Sequence, residues 1–460
     1  MFFIMKNLRK SLKLEEFIGI RYYWTKSEGI GGVIKKRHED FVVEEIMPSG
    51  RVLSVRRGED QLREEVGEEK GLWTHFVLVK KGIDTISAVR RIAEALNVPL
   101  NFFGFAGMKD ASAWTAQRVC VWKVSPEKLL KVGIRNVEIR SPIKALSSIG
   151  LGDLWGNRFQ ITIRDILHDV SETKKMVEEG LGEIRERGGI PNYFGHQRFG
   201  ISRPITHLVG RAIVKGDFEG AVMTFLCEEI SGDGNEIGAS FRKDLEDSLD
   251  FVSALKNFPR GLYYERVMLR HLSKRPRDFI NALRRLPKSL LKMFIHAYQS
   301  YLFNIYLSRR IEEDLSFTGP MEGDLIIGGE VQKIRYESVR VYMGKIGGHF
   351  DGRILAPLVG FKIKRPEGKS GEILEEILER EDISLTDFKI GKMPDISSKG
   401  NYREIFIVME KPVLIYKTEQ LEANPHRTLL LIDFSLRSGQ FATVFLRELM
   451  KTGPMAYVGG

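Results

Sequence analysis

The last segment of the chain limits how everything before it can fold. Leu429 to Leu436 reads as one strand, and Gln440 to Met450 as one helix with Phe441, Val444, Phe445 and Leu449 on a single side. A lone strand and helix, in a tail of about forty residues, cannot bury their own apolar faces. They must return to an earlier part of the chain, which makes the middle an insertion. Gly188-Gly189-Ile190-Pro191 marks the first break, and residues 421–427, with Asn424-Pro425, mark the second. The expected division is a core of residues 1–187 completed by 420–460, with an inserted domain over 188–419. A chain of 460 residues exceeds what one core usually spans, in keeping with two domains.

Within the core, a loop over residues 31–40 leads into a strand at Phe41, and Trp73 to Val79 forms a second strand. The charged stretch 60–70 suits an exposed hairpin tip. Thr85 to Leu96 is an amphipathic helix with Ile86, Val89, Ile92, Ala93 and Leu96 on one face. Asp84 or Thr85 can cap it, and Asn97-Val98-Pro99 ends it. Strands follow at 114–123, 136–141 and 157–164, with a short helix near Pro126 and a longer one from Met176 to Arg187. The middle holds an apolar helix after Ser289 and an acidic one, Glu372 to Glu381, whose Ile373, Leu374, Ile377 and Leu378 face inward. No repeat or low-complexity tract interrupts the pattern. Antiparallel-looking strands between helices predict α+β rather than alternating βαβ units.

Composition narrows the function. No stretch approaches the roughly 20 apolar residues that span a bilayer. The apolar start, Met1 to Met5, is followed by basic residues, the wrong order for a secretory signal. The two cysteines, Cys120 and Cys227, sit in apolar runs and read as buried free thiols of a reducing, cytoplasmic compartment. The 9 histidines are scattered without metal-ligand spacing, and Ser231 to Asn235 reads as a turn rather than a calcium loop. No metal is expected, and no membrane partner. The net charge of +10 favours a polyanion, nucleic acid first. Lys35, Lys36, Arg37 and His38 form one basic cluster. A denser one runs from Arg270 to Lys292, with Asp278 as its single acid. Both also read as solvated faces.

Residues 104–118 carry a lone carboxylate, Asp110, after small residues and Lys109, ahead of a clean strand alternation. Taken alone, Gly-Met-Lys-Asp is good turn chemistry. Four other segments change its weight. Gly156-Asn157-Arg158-Phe159 opens a strand. Asn192 to Gly200 packs aromatics, amides and Arg198 into a short run. His296 to Asn304 puts polar groups into an apolar helix. Phe434 to Thr443 joins the last strand to the last helix. Aromatics interleaved with arginine and amides suit unpaired bases and phosphates.

With these segments, and with Glu39-Asp40-Phe41-Val42-Val43-Glu44, the chain resembles the TruD family of tRNA pseudouridine synthases from about residue 30 to its end. The resemblance implies an α+β fold: a pseudouridine-synthase-like catalytic core with a mixed, mainly antiparallel sheet, interrupted by a large α/β insertion, the TRUD domain. It implies isomerisation of uridine to pseudouridine in tRNA, at uridine 13 of the D arm, without a cofactor. Asp110 matches the catalytic aspartate, and Lys35 a lysine that pairs with it. Asn157 matches an active-site amide, Phe159 the aromatic that stacks on the target base, and Lys109 adjoins the aspartate. Ala111 departs from the family, which often has a basic residue there, so phosphate contacts at that point are in doubt. Expected RNA contacts are Lys36, Arg37, Arg118, Tyr193, Arg198, Arg270, Lys274, Arg275, Arg277, Arg284 and Arg285, lining a channel between core and insertion. The implied partner is tRNA alone, bound by a monomer with no protein partner. Structural readings stand beside these: Lys35 as a solvated loop residue, Asn157 as a turn cap, Phe159 as core, and Asn192–Gly200 as a clasp. The rival function is a non-catalytic RNA-binding or chaperone protein. A nucleotide-dependent enzyme is disfavoured because no Gly-x-x-x-x-Gly-Lys-Ser/Thr loop occurs.

Overall fold

The computed structural model describes residues 8–56, 71–230, 239–329, 334–344, 350–421 and 424–458. The start at Met1 to Met5, the charged stretch 60–70 and the turn read at Ser231 to Asn235 lie outside the described residues. The fold is α+β, and the chain divides into two units: Ser27–Gly189 with Val408–Gly460, and Met1–Lys26 with Ile190–Ile407.

The first of these units is built on an eight-stranded mixed sheet. Its strand order is Val413–Leu421, Asn424–Arg437, Gly156–Ile166, Phe41–Ile46, Trp114–Trp122, Trp73–Lys81, Val137–Ala145, with the short Phe103–Phe105 also paired to the Trp114 strand. Every pairing is antiparallel except that between the Phe41 and Trp114 strands. The final strand lies against Gly156–Ile166, with Phe434 opposite Phe159. Residues 424–425 open a strand inside this sheet and mark no domain boundary. Proline is tolerated at the first positions of a strand.

The sheet is covered on both faces, which is why its central strands read as long apolar runs. Phe76, Leu78, Val119 and Val121 pack under Ala88, Val89 and Ile92 of the helix Thr85–Leu96. Val42, Val77, Val79 and Ala116 form the opposite core with Met47, Leu53 and Val55. The helix begins at Asp84, whose side chain accepts the Ser87 N–H, and ends at Asn97 in the left-handed conformation (φ 54°). The helix Val170–Glu186 starts earlier than its apolar pattern indicates because Asp169 caps it.

The second unit centres on the 25-residue helix Lys288–Glu312. It crosses the helix Thr206–Val214 closely enough that a Cβ on Gly210 would lie 2.0 Å from the Phe294 carbonyl oxygen. A four-stranded sheet (Asn401–Glu404, Gly352–Leu358, Leu325–Gly328, Arg340–Val341) stands beside a two-stranded one that pairs Ile190–Pro191 with Phe406–Ile407. Residues 8–26 belong here and not with the core of the expected division. Asn304 donates to the Ile18 carbonyl (2.9 Å), Ser308 to the Gly19 carbonyl (2.8 Å), and Glu312 accepts from Arg21 (2.8 Å) and Tyr22 (3.0 Å). These partners lie almost three hundred residues away, so no local pattern announces them.

Candidate active site

Asp110 sits in the loop between the Phe103 and Trp114 strands, and buried side chains grip that loop by its main chain. Thr85 Oγ1, at the start of the helix, accepts the Lys109 N–H at 2.8 Å and donates to Gln117 Oε1 at 2.8 Å. Gln117 Nε2 then donates to the Gly107 carbonyl at 2.9 Å. Lys80, at the end of the Trp73 strand, donates to the carbonyls of Ile83 (2.7 Å), Lys109 (3.2 Å) and Asp110 (2.9 Å). Buried carbonyls and amides must find partners, and here side chains supply them.

The Asp110 carboxylate itself is 40% exposed, while the ammonium paired with it, Lys35, has a side chain only 3% exposed. Lys35 Nζ donates to Asp110 Oδ2 and lies 4.5 Å from the centre of the Phe41 ring. Lys35 takes a left-handed backbone (φ 61°), a conformation that a non-glycine residue holds only where its surroundings enforce it. They do: Val33 pairs with Arg164, the Ile34 N–H donates to the Ala456 carbonyl (2.9 Å), and Asp40 receives both the Arg37 N–H (2.9 Å) and the Arg164 guanidinium (2.8 Å). Burial pushes the Asp110 carboxyl up. The Lys35 charge and hydrogen bond, with the Ser112 and Ala111 N–H groups, outweigh it and hold the carboxyl below its ordinary value. The result is an ionised, partly open carboxylate on an immobilised loop.

Lys109 points away from that carboxylate. Its Nζ donates to Asn157 Oδ1 at 2.6 Å and lies 3.5 Å from Glu45 Oε2; Lys109 and Glu45 are buried and Asn157 is half-buried, on one face of the sheet. Burial raises the Glu45 carboxyl and lowers the Lys109 amine, each offset in part by the other's charge. Glu45 also accepts the Arg118 N–H (3.2 Å). Phe159 shares that face, stacked on Phe434 (5.5 Å between centres, 23° between planes) and edge-on to Phe41 (6.3 Å). It is 7% exposed, packed as core against those two rings.

The basic residues fall into distinct settings. Lys36 pairs with Asp165, and Arg37 is exposed. Arg118 is half-buried and donates to the Asp153 carbonyl at 3.2 Å. Tyr193 is 1% exposed with its hydroxyl 3.2 Å from Ser308 Oγ, so its ring is core and offers no surface to a base. Arg198 is half-buried over the Phe194 ring (5.1 Å), and burial lowers its guanidinium. Its neighbourhood is a clasp: Asn304 takes the Phe194 N–H (2.8 Å) and gives to the Phe194 carbonyl (2.9 Å), while Arg403 binds Asn192 Oδ1 (2.6 Å). Arg270, Lys274, Arg275, Arg277, Arg284 and Arg285 are all exposed. Arg284 donates to the Lys392 carbonyl (2.7 Å), and Arg275 stands 3.9 Å from Asp278.

Sequence reasoning overlooked Lys80, Thr85, Gln117 and Glu45. For Lys80, Gln117 and Glu45 the available signal was a polar residue on a strand filled mainly by apolar ones; Thr85, at the start of a helix, carried no such signal. Both cysteines are free and buried, and burial pushes the Cys227 thiol up to about 12. Among the described residues no cluster of His, Cys, Asp and Glu is arranged to hold a metal ion, and no helix is long and apolar enough to cross a membrane.

An α+β unit with a mixed sheet and a lysine-paired aspartate at a strand-connecting loop suits a pseudouridine synthase, and comparison with known proteins shows that class. The family described as tRNA pseudouridine synthase D (TruD) matches residues 17–449, and the chain belongs to it. A Methanosarcina barkeri protein named "Probable tRNA pseudouridine synthase D" is 36% identical over 452 residues, covering 96% of this chain and 98% of its own. One of the same name from Methanopyrus kandleri is 40% identical over 394 residues, covering 85% and 88%. A crystal structure of a TruD protein from Methanosarcina mazei superposes with a TM-score of 0.78 at 34% identity, covering 97% of this chain and 100% of that one.

Proposed function

We propose that this enzyme converts a uridine of tRNA to pseudouridine, at position 13 of the D arm, with Asp110 as the reacting carboxylate. The observation that carries the reading is the Asp110–Lys35 pair: an anionic oxygen open to a substrate, with its counter-charge buried behind it. The reaction breaks the N1–C1′ bond, turns the uracil and rejoins it through C5. A carboxylate serves this by attack at the sugar, by attack on the base, or by taking the C2′ proton. Lys35 keeps Asp110 ionised when RNA displaces water and the local dielectric falls. Phe159, Asn157 and Lys109 are proposed to hold the freed uracil close to the sugar, where recombination is effectively unimolecular. The target uridine has to leave its stack, a cost offset by contacts to the rest of the RNA. Exposed cations among residues 270–285, with Lys36 and Arg37, are proposed to supply phosphate contacts.

The test is direct. Asp110→Asn and Asp110→Ala should bind tRNA transcript with wild-type affinity and form no pseudouridine, read by chemical mapping of the RNA. Product at position 13 from either variant near the wild-type rate would remove Asp110 from the chemistry. Product at another position from the wild-type enzyme would correct the site alone.

A further inference from the structure

We propose that Lys80 is a positioning residue for Asp110, aiming the peptide that follows the carboxylate and adding a second positive charge behind it. This rests on the reading of Asp110 as the reacting group. Lys80 is 1% exposed, and its three N–H donors meet three carbonyls, those of Ile83, Lys109 and Asp110, at 2.7, 3.2 and 2.9 Å. A trans peptide carries its C=O and N–H on opposite sides. Drawing the Asp110 carbonyl toward Lys80 therefore turns the Ala111 N–H away from it, and that N–H is one of the groups holding the Asp110 carboxyl down. Lys35 reaches the side chain of the same residue, and Lys80 its main chain.

A charge in this place is costly. Burial lowers the Lys80 amine to about 8, against the opposing pull of Asp110 and Asp84 and with Lys109 adding to the fall. Those three are the charged groups that face it, Asp110 and Lys109 from the loop and Asp84 from the turn before the helix. The adjacent Lys81 avoids such a cost by reaching out to Glu39. An amine kept inside at the end of an apolar strand, with two of its three donors spent on the loop that carries Asp110 and the third on the turn before the helix, is accounted for by holding that loop in place.

The experiment compares Lys80→Met and Lys80→Gln with Thr85→Val, in the full chain with tRNA transcript. Thr85→Val removes another hold on the loop, the acceptor of the Lys109 N–H, without removing a charge. Expected for the Lys80 variants is a kcat lower by about a hundredfold, the cost of a small misplacement, with tRNA affinity within about twofold. The low-pH limb of kcat/KM should also move to higher pH, because a carboxylate deprived of a nearby cation holds its proton longer. Thr85→Val should lower kcat and leave that limb in place. Wild-type kcat in the Lys80 variants, or a limb unmoved as in Thr85→Val, overturns the proposal. So does loss of fold in both Lys80 variants, which assigns the residue to the sheet. Asp110→Asn separates the two readings: an active Asp110→Asn sinks the role of Asp110 itself, whereas an inactive one beside unaffected Lys80 variants sinks only the role of Lys80.

Discussion

At the scale of residues, the candidate site is a carboxylate whose charge is set by its neighbours. Burial alone would favour the protonated acid, and Lys35 reverses the balance. Lys35→Met should therefore raise the Asp110 value. On the proposed mechanism the ionised form reacts, so the low-pH limb of kcat/KM should shift upward by about one to three units, the usual effect of an adjacent opposite charge. A pH-rate profile identical to wild type would separate Lys35 from Asp110 functionally. Asp110 and Lys35 were legible because a family pattern is written in side chains of this kind. Lys80, Thr85 and Gln117 were not, since what they recognise is main chain, and a carbonyl has no letter in a sequence. Phe159 was legible only as an ambiguity: its alternation with Ile161 and Ile163 marks an apolar face, and its stacking on Phe434 depends on a strand that enters the sheet from the far end of the chain.

At the scale of elements, periodicity located most helices and strands of the sheet-bearing unit, and its failures have local causes. Val137–Ala145 runs past the expected end at 141, through Pro142, because it is an edge strand and a missing N–H costs little there. The polar residues of the helix Lys288–Glu312 looked like a binding surface and instead serve as internal fasteners. Gln299 donates to the Val359 carbonyl (2.5 Å), Tyr298 to Glu381 (3.0 Å) and Asn304 to two carbonyls. The same region contains an acid-sensitive group. His207, on the helix Thr206–Val214, is enclosed by the rings of Phe17 (5.2 Å), Phe199 (5.3 Å) and Tyr301 (4.9 Å). Burial, with Arg211 adding to it, depresses its imidazole from 6.5 to about 3. Between those values the unfolded chain binds a proton that the folded chain refuses. The stabilisation is complete above the unfolded value and is lost as pH falls, by up to about 1.4 kcal/mol per pH unit. Urea midpoints compared between about pH 7 and pH 4 should fall less steeply in His207→Phe than in wild type. Parallel curves would show that the ring titrates normally.

At the scale of the whole molecule, the chain is two units whose membership does not follow sequence order. The return of the C-terminal strand was legible because a lone strand and helix cannot stand by themselves. The placement of residues 8–26 was not, because their partners lie in the helix Lys288–Glu312. Charge gives a prediction at this scale. Arg270, Lys274, Arg277 and Arg285 are exposed, and among the described residues they have no acidic partner. Combining Lys274→Glu, Arg277→Glu and Arg285→Glu should weaken tRNA binding and make its logarithmic salt dependence shallower by about one for each phosphate no longer neutralised. A slope unchanged by the triple variant would move the phosphate track off this stretch.

The pairing of Ile190–Pro191 with Phe406–Ile407 has a consequence for descent. An excursion of more than two hundred residues departs and comes home through neighbouring strands. Its beginning and its close are held together by their own ladder. Lineages are thus free to lengthen, trim or exchange what hangs between those two ends while the hydrogen bonds that join them stay in register.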